Sequence, residues 1–83
     1  MAYAIKVKKR AIKALQKIPQ PYYKQIKDAI YKLSDNPRPK GCKKLKARDG
    51  YRIRVADYRV IYQIKDAVLL VSVINIGHRK DVY

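Results

Sequence analysis

Glutamate is missing from this chain of 83 residues, and six aspartates are its only acidic side chains. Against them stand 21 lysines and arginines, for a formal net charge of +15. Solubility needs far less charge than this, and self-repulsion on such a scale works against a compact state. A polyanion or an acidic protein is therefore the expected partner. Nucleic acid leads, because each phosphate neutralised by a cation releases counterions. Cysteine is nearly absent too. Cys42 stands alone, which excludes a disulfide framework and a cysteine-based zinc site and fits a reducing cytoplasm. With one distant histidine and few acids to support it, Cys42 makes a poor catalytic nucleophile. No run approaches the roughly 18 apolar residues of a membrane span. Lys6, Lys8, Lys9 and Arg10 break up any signal-peptide core near the N-terminus. The chain reads as cytoplasmic, with no membrane partner, no metal and no cofactor.

The short length points to one domain over residues 1–83, with a modest core and a stability of about 5 kcal/mol or somewhat more. Residues 3–7 alternate apolar and polar and predict a first strand. Ala11, Ile12, Ala14, Leu15 and Ile18 fall at helical spacing over 8–17. Pro19 and Pro21 break that helix and open a second, whose stripe is Tyr22, Ile26, Ala29, Ile30 and Leu33. Residues 36–41, Asn-Pro-Arg-Pro-Lys-Gly, cannot continue it and predict a loop. A short, lysine-rich edge strand is expected over 43–47. Residues 67–76 are apolar on both faces, as a central strand would be, with Lys65 and Asp66 as the turn into it and Gly77 as its end. The order β-α-α-β-β-β-β predicts an α+β domain, its N-terminal helical hairpin packed on one face of an antiparallel-rich sheet.

The most informative stretch is 50–62, Gly-Tyr-Arg-Ile-Arg-Val-Ala-Asp-Tyr-Arg-Val-Ile-Tyr. Its period-two alternation predicts a hairpin of strands over 51–56 and 58–64, turning at Asp57. Ile53 and Val55 face the core, with Tyr51, Tyr58 and Val60 on the same side. Arg52 and Arg54 point together off the other, as a surface for phosphate. Upstream, the segment from Arg38 to Arg48 carries six basic residues and no acid. Lys43, Lys44, Lys46 and Arg48 form a candidate RNA-binding patch there. Taken singly, each of these lysines is better explained as a solvated edge-strand residue; the patch as a whole favours RNA.

Several of these segments together resemble a known family. Asn36-Pro37, Leu45-Lys46, the run Gly50–Arg54, the run Tyr58–Tyr62 and the closing Gly77-His78-Arg79-Lys80-Asp81-Val82-Tyr83 are similar to the RelE toxins of bacterial and archaeal type II toxin–antitoxin systems. The likeness covers nearly the whole chain. It implies an mRNA endoribonuclease acting in the decoding site of the 70S ribosome and silenced by an acidic, RelB-like antitoxin. Operator DNA would be met only through the antitoxin complex. The implied reaction is metal-independent attack of a ribose 2′-hydroxyl on the adjacent phosphate, leaving a 2′,3′-cyclic phosphate and a 5′-hydroxyl. Carried onto this sequence, the family's paired strand lysines fall at Arg52 and Arg54, its next-strand arginine at Arg59, and its C-terminal arginine and tyrosine at Arg79 and Tyr83. Arg59 and Arg79 are the expected clamps on the scissile phosphate, since arginine's planar fork suits phosphate oxygens. Tyr83 would stack on a base, although a terminal residue can equally be frayed.

The departure from the family is chemical. A strand lysine can serve as base, whereas arginine essentially never deprotonates, so Arg52 and Arg54 stabilise charge without removing a proton. Lys46 and His78 are the candidate general bases, each also readable as a solvated side chain, and the assignment stays open between them and a group from outside the chain. Two other functions also remain open. One is a ParE-like inhibitor of DNA gyrase, the same superfamily without nuclease chemistry. The other is a non-catalytic RNA-binding module.

Overall fold

A computed structural model describes residues 2–46 and 48–78. The elements follow the expected order: β1 (Ala4–Val7), α1 (Lys9–Gln16), α2 (Tyr22–Lys32), β2 (Lys43–Lys44), β3 (Tyr51–Val55), β4 (Tyr58–Lys65) and β5 (Leu70–His78). They build a five-stranded sheet in the order β1-β5-β4-β3-β2. Three of its pairings are antiparallel and one, β1 with β5, is parallel. Antiparallel pairing needs only a tight turn, whereas β1 and β5 are separated by most of the chain.

The helices meet the sheet through one apolar face each. In α1, Ala11 is buried and Ala14 and Leu15 half-buried, with Ile18 buried just beyond its end. Ile12, expected in that stripe, is instead 42% exposed. At about 100° per residue it lies to the side of the Ala11–Leu15–Ile18 line. In α2, Ile26, Ile30 and the following Leu33 are buried, while Tyr22 remains partly exposed at the helix start. Three first-turn donors of α2 find acceptors despite the prolines. The amides of Tyr23 and Gln25 donate to the carbonyls of Pro19 and Pro21, and that of Lys24 to Oε1 of Gln20. From the sheet, Ile53, Val60, Tyr62, Val71, Val73 and Ile76 complete the core.

Three segments differ from expectation. Residues 66–68 form a 3₁₀ turn, and Leu69 follows with φ 49°, so β5 starts at Leu70 and runs past Gly77 to His78. It is an interior strand, but the middle position belongs to β4. The edge strand β2 is only two residues long. The β3–β4 turn is made by Ala56 and Asp57, with Ala56 at φ 54°.

Two contacts fix the ends of the hairpin. Gly50, at φ +141°, leads into β3 where a Cβ would stand 3.1 Å from the Tyr62 carbonyl oxygen and 3.3 Å from Leu45 Cδ1. No other residue type fits that backbone without strain. The Tyr62 hydroxyl, buried on β4, donates a 2.7 Å hydrogen bond to the Pro37 carbonyl and so ties the 36–41 loop to the core. Burial pushes the Tyr62 phenol well above its ordinary pKa.

Candidate nucleic-acid interface

The register of the β3–β4 hairpin assembles the cations. Arg54 and Arg59 are direct cross-strand partners, and Arg52 lies two residues from Arg54 on the same face, opposite Ile61. Lys43 of β2 pairs with Arg52 and extends the row. Directly opposed residues hold their Cβ atoms about 5 Å apart, and like charges there destabilise a sheet. The fold thus sets two arginines directly opposite one another across the hairpin. Arg54 is exposed, whereas Arg52 and Arg59 are half-buried, and Arg59 Nε is closed off from solvent. Ile61, on the same face, is only 1% exposed. Its register neighbours Arg52, Arg59 and Gln63 have long stems able to lie over it.

The other candidates are distributed differently. Lys44 pairs with Tyr51 and so belongs to the helical side. Lys46 and Arg48 are exposed in the loop between β2 and β3. His78 pairs with Tyr58 and sets its ring edge-on to that tyrosine at 5.9 Å. That contact places it on the helical side, away from Arg54 and Arg59. Arg79 and Tyr83 lie outside the described residues. Among the described residues no group of three His, Cys, Asp or Glu side chains is placed to hold a metal. None of the described helices is long and apolar enough to cross a membrane.

Arg38, read from sequence as part of the basic patch, has a structural partner instead. Its Nη1 and Nη2 reach the two carboxylate oxygens of Asp66 at 3.2 and 2.9 Å, and its guanidinium lies 5.3 Å from the Tyr51 ring centroid. The Tyr3 hydroxyl also donates to Asp66, at 2.6 Å. These hydrogen bonds, Arg38 first, hold the Asp66 carboxyl down at about 2, from an ordinary 3.8. Because the folded-state value lies below the unfolded one, the contribution to stability is complete above about pH 4 and is lost as the pH falls through about 2. The urea midpoint of the wild type should therefore fall across that window. Asp66→Asn should lose this part of the acid dependence, and an unchanged acid profile in the variant would remove Asp66 as its source.

Comparison with known proteins identifies the family. Residues 5–83 match the family model described as the ParE toxin of the type II toxin–antitoxin system parDE. The mRNA interferase toxin RelE of Escherichia coli K12 is 30% identical over 82 residues, spanning 96% of this chain and 86% of that relative. Among solved structures, the archaeal RelE–RelB complex from Pyrococcus horikoshii superposes with a TM-score of 0.85 at 30% identity, covering 98% of this chain and 99% of that one. The intact Escherichia coli RelBE toxin–antitoxin complex gives 0.80 at 30% identity, covering 93% and 96%. The chain belongs to the RelE/ParE family of type II toxin–antitoxin toxins and is of the RelE type.

Proposed function

We propose that this toxin is a ribosome-dependent mRNA endoribonuclease that inhibits translation. The observation that carries this reading is the direct cross-strand pairing of Arg54 and Arg59, with Arg52 and Lys43 beside them on one sheet face. Attack of a 2′-hydroxyl on its own phosphate builds negative charge on the phosphorane oxygens. Fixed guanidinium groups stabilise that charge more than they stabilise the ground state. Arg59, on the middle strand, is the best-positioned clamp. Arg52 and Arg54 supply further charge, and Arg79 and Tyr83 would complete the site as second clamp and base-stacking ring. The bond formed joins O2′ to phosphorus. The bond broken releases the 5′-oxygen of the next nucleotide, which takes up a proton. The reaction needs no metal, and DNA, lacking the 2′-hydroxyl, is not its substrate. The proton on O2′ goes to Lys46 or to a group supplied by the ribosome, since His78 faces the helical side. An acidic antitoxin of the RelB kind would silence the toxin by covering the cationic face.

The family model, which is that of ParE toxins, favours a second reading as a gyrase inhibitor. In vitro translation with purified protein, followed by primer extension on the mRNA, separates the two. Discrete cuts that require ribosomes and end in cyclic phosphate are the expected result. Full-length mRNA at every protein concentration, with loss of gyrase supercoiling, would establish the second reading instead.

A further inference from the structure

A second cationic feature lies on the other side of the sheet, and the proposed cleavage site does not use it. Between α1 and the end of β5 runs an open groove of about 490 Å³, whose lining includes Arg10, Lys13, Lys17, Tyr58, Gly77 and His78. Arg10 and Lys13 of α1 and Lys17 just after it share one helix face, spread over about 10 Å of axis. Among the described residues no acidic side chain lines the groove. The floor is aromatic. Tyr58 meets His78 edge-on at 5.9 Å and the Tyr22 ring at 5.8 Å.

Helix stability does not account for Arg10, whereas Lys13 in the last turn and Lys17 at the helix end suit the helix dipole. The first turn of α1 holds Lys9 and Arg10 and no acid, and Lys8 before it provides no side-chain cap. Positive charge at a helix N-terminus opposes the helix dipole. A local conflict of this kind, kept without a structural gain, is expected where a surface serves binding.

The groove also joins the arginine face. Parallel pairing with β1 stops at Val73, so β5 beyond it has no strand neighbour on that edge among the described residues. Gly77, the register partner of Arg59, puts no side chain between the two surfaces. Gly77 itself lines the groove, so the groove and the strand position of Arg59 meet at one residue of β5.

We propose that the α1–β5 groove binds a nucleotide of single-stranded RNA flanking the cleavage step, its phosphates on Arg10, Lys13 and Lys17 and its base against Tyr58 and His78. The inference rests on the endoribonuclease reading for its biological substrate. Cations tracking a backbone beside an aromatic platform are the general chemistry of single-strand binding. The apolar part of the lining, Ala14, Ile18 and Ile76, is smaller than the row of pockets at helical spacing that an acidic peptide helix would seek.

The test uses the full chain and a short 2′-O-methylated single-stranded RNA, which the proposed reaction cannot cut, so binding is read apart from cleavage. Fluorescence anisotropy over a salt series compares wild type, the triple variant Arg10→Ala/Lys13→Ala/Lys17→Ala, and a control of equal charge loss on α2, Lys24→Ala/Lys27→Ala/Lys32→Ala. The α1 variant should weaken binding at least tenfold and reduce the log–log salt slope by about 2, at roughly 0.7 per phosphate contact. The α2 variant should change both far less. His78→Ala should weaken binding about fivefold or more through lost stacking, with little change in slope. Equal losses in the two triple variants would show general charge attraction and overturn the groove. So would wild-type RNA affinity in the α1 variant, even if that variant had lost affinity for poly-aspartate. Ribosomal cleavage does not enter the measurement, so its absence from the wild type would overturn the enzyme reading and leave the groove standing.

Discussion

Replacing Arg59 by alanine is expected to cut ribosome-dependent mRNA cleavage by about a hundred- to a thousandfold, the loss typical of removing one preorganised donor from a developing oxyanion. The expectation follows from position. Arg59 sits on the middle strand, between Arg54 on β3 and Gly77 on β5, with its Nε closed off from solvent. A guanidinium fixed in this way needs little reorganisation as the phosphorane forms, whereas a freely moving side chain would have to be ordered. Arg59→Lys retains the charge but not the planar fork, so it should recover only part of the rate. Relief of the Arg54–Arg59 repulsion should offset lost contacts, and the urea midpoint should stay near that of the wild type. Primer extension over a dilution series of each variant measures the rate. Cleavage by Arg59→Ala within threefold of wild type would place the phosphate clamp elsewhere.

How far this site was legible depends on the range of the signal. Alternation in residues 51–62 is local, and it predicted that Arg52 and Arg54 share a face while Ile53 and Val60 face the core. The pairing of Arg54 with Arg59 then follows from the tight turn alone. Alternation at the chain end predicted that His78 lies on the side opposite Arg79, but not which face of the sheet that is. Val71 and Val73 point into the core, and strict alternation from them would put Ile76 and His78 on the arginine side. A bulge in the β4–β5 ladder breaks that phase. Ile61 pairs with Asn75 but Tyr62 with Val73, leaving Ile74 as the extra residue. One inserted residue turns everything beyond it over, so Ile76 enters the core and His78 joins Tyr58. Arg38 escaped for a different reason. Its partner Asp66 is 28 residues away, and neither residue's neighbours in sequence announce the contact. Charge counting alone assigns such an arginine to a binding patch.

The same distinction between local pattern and packing sets up the second large effect. Ile12 and Ile26 both sit in apolar helical stripes, yet Ile26 is fully buried and Ile12 is 42% exposed. Ile26→Ala should destabilise the fold by about 2–5 kcal/mol, combining lost transfer energy with the cavity left beneath α2. Ile12→Ala should fall within about 0.5 kcal/mol of wild type, as surface substitutions do. Small domains sit near the lower end of about 5–15 kcal/mol of total stability, and here the charge of +15 subtracts from it. The Ile26 variant should therefore be largely unfolded at low ionic strength and recover structure as salt screens the repulsion, whereas Ile12→Ala stays folded throughout. An acidic antitoxin binding the folded state would act in the same direction as salt and more strongly, by mass action. Urea denaturation followed by circular dichroism, at low and at moderate salt, measures both variants. Equal midpoints for the two would mean that α2 is not seated on the sheet through Ile26.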